Sequence, residues 1–421
     1  MQKSFLLLFR KKRKLLISIL IVLFSIIAIL IVPYFSKVPR TMVPLMNIFD
    51  NKVLVIAPHP DDEALGTGGV IARSVAEGHD VLLVVMTYGD SFKKAARVFS
   101  GKKYPLPEDY VRLGIARRQE TINAMSILGL PPEKILFLGY PDAGLENLWD
   151  SQWDSGSQST LGGPLTDSVL YQDAYNPGSP FIGQEVVNNL VEIIKNYNPS
   201  EIYYPDPFDD HPDHWATAAF VKYALTLLNF QCREYTYLVH RYLWPQPNIE
   251  EPSRPLLMPK ELVGMGTNWI DFPLKTREIN LKKEALKRYP SQEAVMEPFL
   301  WAFIRSTELF AQTNMEKVNE KGAVLKDPVS DTVERFIEGS ADITEVVLVK
   351  LGNTLRITVN TREQFSPTIS YVVSLRFFGE EGVHRIDLLV RNGNVDALVK
   401  ASNSILPDTN KNDRQDRMAI I

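Results

Sequence analysis

The first pattern along the chain is an uncharged apolar run at residues 15–32, LLISILIVLFSIIAILIV, interrupted only by Ser18 and Ser25. As a helix it would extend about 27 Å, close to the hydrocarbon thickness of a bilayer, and it lacks the polar face of an amphipathic core helix. The pattern then changes to short β-branched runs at 52–57 (KVLVIA) and 80–87 (DVLLVVMT), which end at Pro58 and before Gly89. Such runs predict buried parallel strands, and the helical pattern at 66–77 between them completes a βαβ unit. Helical periodicity recurs at 116–128 and 185–197, and short strands are expected at 134–138 and 201–204. The alternation predicts an α/β fold with a doubly wound, mainly parallel sheet over residues 50–312, binding ligands at the carboxyl ends of its strands. Residues 150–183, rich in Gly, Ser, Pro and Asp, are expected to form a lid or substrate loop. Beyond Phe310 the pattern alternates over 345–351, 354–360, 370–378 and 383–391, which predicts a small all-β domain at 335–402. A polar tail at 403–421 is expected to be disordered.

Charge gives the apolar run a direction. Lys3 and the basic stretch 10–14 precede it, and only Lys37 and Arg40 follow closely, so residues 1–40 read as a cytoplasmic head and single-pass membrane anchor with the remainder extracytoplasmic. Secretion after signal cleavage is the alternative, although 33–38 (PYFSKV) offers no small-x-small cleavage pattern. With 421 residues, 45% of them hydrophobic, the chain can bury a sizeable core. A net charge of -4 gives no electrostatic reason to expect a nucleic-acid partner. The single cysteine, Cys232, excludes an internal disulfide and any multi-cysteine zinc site.

Histidine is scarce, at six copies, yet His59, His211 and His214 all stand beside aspartates. Pro58-His59-Pro60-Asp61-Asp62-Glu63 directly follows the first strand, and Asp209-Asp210-His211-Pro212-Asp213-His214 follows the strand at 201–204. Two loops at strand ends can converge on one divalent ion. Two imidazoles and a carboxylate would leave a coordination position open, the catalytic type of zinc arrangement, although iron could use the same ligands. Either segment alone could be a turn or helix cap; together they are hard to explain by capping.

These two motifs resemble those of the LmbE-like (PIG-L) deacetylases, with Pro58 where the family usually has alanine. The resemblance covers residues 52–310 and takes in Arg117-Arg118-Gln119-Glu120, Gly139-Tyr140-Pro141-Asp142, His240, and Tyr289-Pro290-Ser291-Gln292. It implies that His59, Asp62 and His214 bind Zn2+, that Asp61 is the general base, and that His211 stabilises the oxyanion or serves as acid. It implies further that Arg117 and Asp142 contact an N-acetylated sugar of the N-acetylglucosamine type, and the exported orientation makes a cell-envelope glycan or glycolipid the natural substrate class. Plainer roles compete for the outer residues: an ion pair of Arg117 with Glu120, a turn cap for Asp142, and a hydrogen-bonded strand position for His240, which otherwise would lie at the metal mouth. Two other functions fit the same residues, an amidase acting on a bulkier acyl amide and a tethered carbohydrate-binding module without activity.

Overall fold

In a computed structural model the chain is described over residues 52–402, apart from 155, 157, 158, 266, 313–321, 330–338, 353, 380, 381, 392 and 393. The chain divides between Thr41 and Met42, and every described residue belongs to the second part. The expected membrane helix at 15–32 and the polar tail at 403–421 lie outside the described residues. Among those described, no helix is long and apolar enough to cross a membrane.

In chain order the elements are β1 (Lys52–Ala57), α1 (Asp62–Ala76), β2 (Asp80–Thr87), α2 (Lys93–Ser100), α3 (Pro107–Leu128) and β3 (Ile135–Tyr140). They continue with α4 (Leu145–Asp150), α5 (Gly183–Tyr197), β4 (Glu201–Pro205), α6 (Pro212–Leu228), β5 (Arg233–Tyr237), β6 (Asn268–Pro273), α7 (Thr276–Leu286), α8 (Pro290–Trp301) and β7 (Thr307–Gln312). The seven strands form one sheet in the order β3-β2-β1-β4-β5-β7-β6. Strands β1 to β5 pair in parallel, and β7 is antiparallel to both β5 and β6. The fold is therefore mixed α/β with a mostly parallel central sheet, and its antiparallel edge was not legible in the strand pattern. β1 and β2 are buried beyond their first residues, as expected for strands covered on both faces. Helices α1, α3 and α7 pack on one another, and α4, α5 and α6 do likewise, which supplies the two layers.

Two helices begin earlier than the apolar pattern suggests. α1 starts at Asp62 rather than residue 66, because its glycine run lies inside the helix, where a Cβ at Gly66 would collide with the Tyr237 ring. α3 starts at Pro107, whose missing N–H suits the first helical turn, and the Asp109 carboxylate accepts from the Leu106 N–H at 2.8 Å. The stretch read as a lid is tied down by its own aromatics. Trp153, Tyr171 and Phe181 are buried, and Tyr171 stacks on Tyr88 with ring centroids 3.7 Å apart.

Beyond the α/β sheet, β8 (Ala323–Lys326), β9 (Ile343–Leu351) and β10 (Thr354–Thr361) form one antiparallel sheet. β11 (Tyr371–Gly379), β12 (Gly382–Arg391) and β13 (Asn394–Ser402) form another. The four expected alternating strands correspond to β9 to β12, and β8 and β13 complete the two three-stranded sheets.

One buried ion pair holds α1 in place. Lys282 Nζ lies 2.7 Å from Glu308 Oε1 and donates to the Leu65 carbonyl, while Glu308 accepts from the backbone N–H groups of Gly69 and Val70. Both side chains are fully buried, so removing one leaves an uncompensated charge. Glu308→Ala is expected to destabilise the chain from Met42 onward by about 3 kcal/mol or more, and a double Lys282→Met/Glu308→Leu variant by less. Chemical denaturation of both variants checks this ordering.

Candidate metal centre and active site

β1 lies between β2 and β4, and the chain winds outward from β1 to β3 before returning to β4. The loops that follow β1 and β4 therefore diverge at their strand ends and open a crevice at the switch point of the sheet. Both histidine motifs sit there. His59 stands in the loop after β1 and Asp62 opens α1; His211 is the N-cap of α6 and His214 lies in its first turn.

Asp62 is the centre of the cluster. Its Oδ2 lies 3.0 Å from His59 Nδ1, accepts from the His59 backbone N–H at 3.0 Å, and lies 3.0 Å from His214 Nε2. Potential ligand atoms of His59, His211 and His214 lie within 4.8 Å of one another, as do those of Asp62, His214 and His240. Ligands of a tetrahedral ion with bonds of about 2.0–2.2 Å stand about 3.3 Å apart, so the Asp62 distances suit a shared cation. The hydrogen bonding suits one too. Asp62 Oδ1 and both His214 nitrogens are buried without a hydrogen-bond partner among the described residues, although His214 Nδ1 is 3.1 Å from Asp209 Oδ2. Close but misaligned nitrogen and oxygen atoms aimed at one point fit a divalent ion.

The electrostatics express the same need. Burial would raise the Asp62 pKa, but His214 and His59 hold it well below the usual carboxylate range. Burial would lower His214, but Asp209 and Asp62 push it up to about 9. His59 is likewise held above its ordinary value, against burial, by Asp142, Asp213 and Asp62. His211 behaves oppositely: burial, reinforced by His59 and His214, lowers it to about 4. Its Nδ1 accepts from the Asp213 N–H at 3.2 Å, which leaves Nε2 to carry the proton of the neutral ring.

Asp61 stands beside the metal cluster but outside the cation-binding groupings. Its backbone has φ 123° and ψ -31°, a strained conformation for a residue with a side chain. Two neighbours hold it. Its N–H donates to Glu63 Oε2 at 3.0 Å, and Tyr289 OH donates to Glu63 Oε1 at 2.5 Å. From the other side Arg117 donates to the Gly89 and Pro60 carbonyls at 2.6 and 2.7 Å, with Nη2 3.4 Å from Asp61 Oδ2. Gly89 has φ 62°, and a Cβ there would strike the guanidinium. Burial raises the Asp61 pKa well above its usual range, Arg117 opposes the shift, and Asp62 and Glu63 reinforce it. Glu120, the alternative partner considered for Arg117, instead accepts from Ser291.

The remaining candidates converge on the same cavity, about 260 Å³ in volume, which His59, Asp61, Arg117, Asp142, His211 and His240 all line. Asp142 Oδ2 accepts from the Ser91 N–H at 2.5 Å and its Oδ1 lies 3.3 Å from His59 Nε2, so it both joins two loops and faces the histidine. His240 stacks on Phe299 at 5.4 Å, and its Nε2 is 4.0 Å from Asp62 Oδ1. His240 lines the cavity, and its backbone N–H donates to Asp209.

Two residues inside the second motif had no assigned part. Asp213 Oδ2 lies 3.1 Å from His59 Nε2, and its two oxygens accept from the Ala143 and Leu145 N–H groups. Asp209 faces His214 in the same way. A carboxylate on the far nitrogen of an imidazole fixes the ring and its tautomer. The signal was present as Asp-x-x-x-x-His and His-x-Asp spacing, but which ring each carboxylate meets depends on the fold.

Fold and cluster together define an α/β domain with a divalent-metal type site at its switch point. Residues 54–225 match the family model described as PIG-L, GlcNAc-PI de-N-acetylase. A 1D-myo-inositol 2-acetamido-2-deoxy-alpha-D-glucopyranoside deacetylase of Nocardioides sp. is 30% identical over 184 residues, which cover 42% of this chain and 55% of that one. The protein of the same description from Mycobacteroides abscessus is 34% identical over 167 residues, 39% of this chain and 51% of its own. The chain thus spans about half the length of the curated relatives it matches. Among solved structures, N,N'-diacetylchitobiose deacetylase from Pyrococcus horikoshii aligns over 62% of this chain and 82% of that one, with 22% identity and a TM-score of 0.36.

A pH-dependent property follows from Asp90, which is buried next to the cavity-lining Ser91 and accepts from Tyr171 OH at 2.6 Å. Burial, then the Asp142 charge, raises its pKa to about 7. A raised folded-state pKa contributes stability below the unfolded value, near 4, and that contribution is lost as pH rises through 7. Relative to Asp90→Asn, the parent is therefore expected to lose on the order of 4 kcal/mol of stability between pH 4 and 7, read from denaturation midpoints across that range.

Proposed function

We propose that the protein is a zinc-dependent N-deacetylase that hydrolyses the acetamide of an N-acetylglucosamine-type sugar, releasing acetate and a free amine. The observation that carries this reading is Asp62 Oδ2 at 3.0 Å from both His59 Nδ1 and His214 Nε2, with the buried, strained Asp61 beside it. The match to the PIG-L family model and the deacetylase descriptions of the chain's relatives support the same chemistry. We infer further that the apolar run at 15–32 tethers the chain, with its catalytic domain outside the cytoplasm and a cell-envelope glycan or glycolipid as substrate.

His59, Asp62 and His214 would hold the zinc, which supplies a bound water of lowered pKa and polarises the amide carbonyl. The protein's own groups divide the remaining work. Asp61, its pKa raised by burial, takes the proton of the water that attacks the acetyl carbon. Neutral His211, with Nε2–H directed by its Asp213 contact, donates a hydrogen bond to the developing oxyanion. When the C–N bond breaks, the proton held by Asp61 passes to the leaving amine. His211 is the weaker candidate for that step, because a pKa near 4 leaves it unprotonated at neutral pH. Arg117, engaged with two carbonyls and Asp61, positions the base.

Metal content and amine release on N-acetylglucosamine-containing substrates test this assignment. The parent is expected to hold about one zinc and release acetate. His214→Ala should do neither. Asp61→Asn should keep the zinc and lose about a hundredfold or more in kcat. A parent that binds no divalent metal, or an active Asp61→Asn variant, refutes the reading. Arg117→Lys, which cannot bridge both carbonyls, should lower kcat about tenfold or more and change KM little; a rise in KM alone would make it a substrate contact instead.

A further inference from the structure

Helix α2 runs from the cavity rim, where Phe92 and Lys93 are lining residues, and it buries little of itself. Ala95 and Ala96 face the protein, packed against α3 and α8. The outward side presents Lys93, Lys94 and Arg97 together with Val98, 55% exposed, and Phe99, 45% exposed. The following turn extends this surface with Lys102, Lys103, Tyr104 at 70% exposure and Leu106 at 50%. Residues 93–106 contain five cations and no carboxylate, in a chain whose net charge is -4. Lys102 is partly neutralised by the buried Asp109, 2.8 Å away, and Lys94 donates to the Val295 carbonyl without losing its charge.

Large apolar side chains interleaved with lysine and arginine on an exposed helix form the surface of an element that lies in a lipid headgroup layer. A site that used the cations alone, for a nucleic-acid phosphate backbone, would give Val98, Phe99 and Leu106 nothing to bury against. We propose that residues 93–106 dock on the surface of an anionic bilayer, with Phe99, Tyr104 and Leu106 entering the headgroup region and Lys93, Arg97 and Lys103 meeting lipid phosphates. Because α2 starts at the cavity rim, this docking brings the mouth of the site to the membrane. Residues 33–51, nineteen in all, have a contour length of up to about 65 Å, which exceeds the thickness of a headgroup layer. The inference stands apart from the deacetylase assignment, since docking requires neither metal nor substrate.

The test uses the chain from Met42 onward, which lacks the apolar run, and sedimentation with vesicles of phosphatidylcholine alone or with about 30% phosphatidylglycerol. The parent is expected to bind the anionic vesicles at least about tenfold more tightly than the neutral ones, and less tightly as salt rises. Arg97→Glu with Lys103→Glu should lower anionic-vesicle binding about tenfold or more, and Phe99→Ser with Leu106→Ser should lower it to a similar degree. Zinc content and thermal unfolding should match the parent in both variants. Absence of anionic-vesicle binding, or binding unchanged in both variants, overturns the proposal. So does a concentration-dependent dimer in vesicle-free ultracentrifugation that Phe99→Ser with Leu106→Ser abolishes, because the face would then belong to a second copy of the chain. None of these failures touches the metal and amine-release tests.

Discussion

The burial of the Asp62 carboxylate between two imidazoles is the constraint on which the rest of the site depends. A carboxylate fully removed from water is costly unless positive charge or several donors meet it. Here one oxygen takes the His59 N–H and faces both imidazoles, while the other has no hydrogen-bond partner among the described residues. The imidazoles that oppose this charge come from the loops after β1 and β4, so the carboxylate ties the two loops together. The same requirement recruits the outer carboxylates. Asp209 and Asp213 each stand against an imidazole, and each also accepts backbone N–H groups from a neighbouring loop. Loop positions are thereby tied to ring positions, and four strand ends become one rigid rim.

Asp61 shows what that rigidity supports. A φ of 123° at a residue with a Cβ costs on the order of 1–3 kcal/mol, and it persists only where the surroundings overdetermine it. Glu63 in α1 accepts its backbone N–H and is itself held by Tyr289, the N-cap of α8, while Arg117 grips its carboxylate from α3. α1 is itself fixed by the Lys282–Glu308 pair, which reaches it from α7 and β7. The antiparallel edge of the sheet thus contributes to the site, although none of its strands carries a residue that lines the cavity.

Much of this was legible in the sequence, for identifiable reasons. β1 and β2 announce themselves because strands covered on both faces are uniformly apolar, and the two histidine motifs follow strand ends that local pattern can locate. What the sequence hid depends on contacts between distant residues. β6 and β7 alternate too weakly to stand out, and they form an edge only because α7 and α8 return the chain beside β5. Arg117 and Glu120 are spaced for a helical ion pair, yet each finds a better partner across the fold, Arg117 at Gly89 and Pro60, Glu120 at Ser291. The polar composition of residues 150–183 suggested a lid, but it did not reveal that Trp153, Tyr171 and Phe181 anchor the stretch by burying their rings.

The opposite shifts of His211 and Asp61 separate roles that the motif leaves joined. Both side chains line one cavity beside the same cluster, and either could move a proton. A positive cluster acts on them in opposite senses: it keeps an imidazole neutral and it favours an ionised carboxylate. His211 is exposed to that effect with burial adding to it, so its ring remains a neutral donor. Asp61 feels burial first and the attraction of Arg117 second, so its affinity for a proton stays above that of an ordinary carboxylate. In the proposed reaction a group that takes a proton from water is helped by a raised affinity for it, and a group that only holds an oxyanion needs a fixed proton. On His211 the proton position is set by the Asp213 N–H on the far side of the ring.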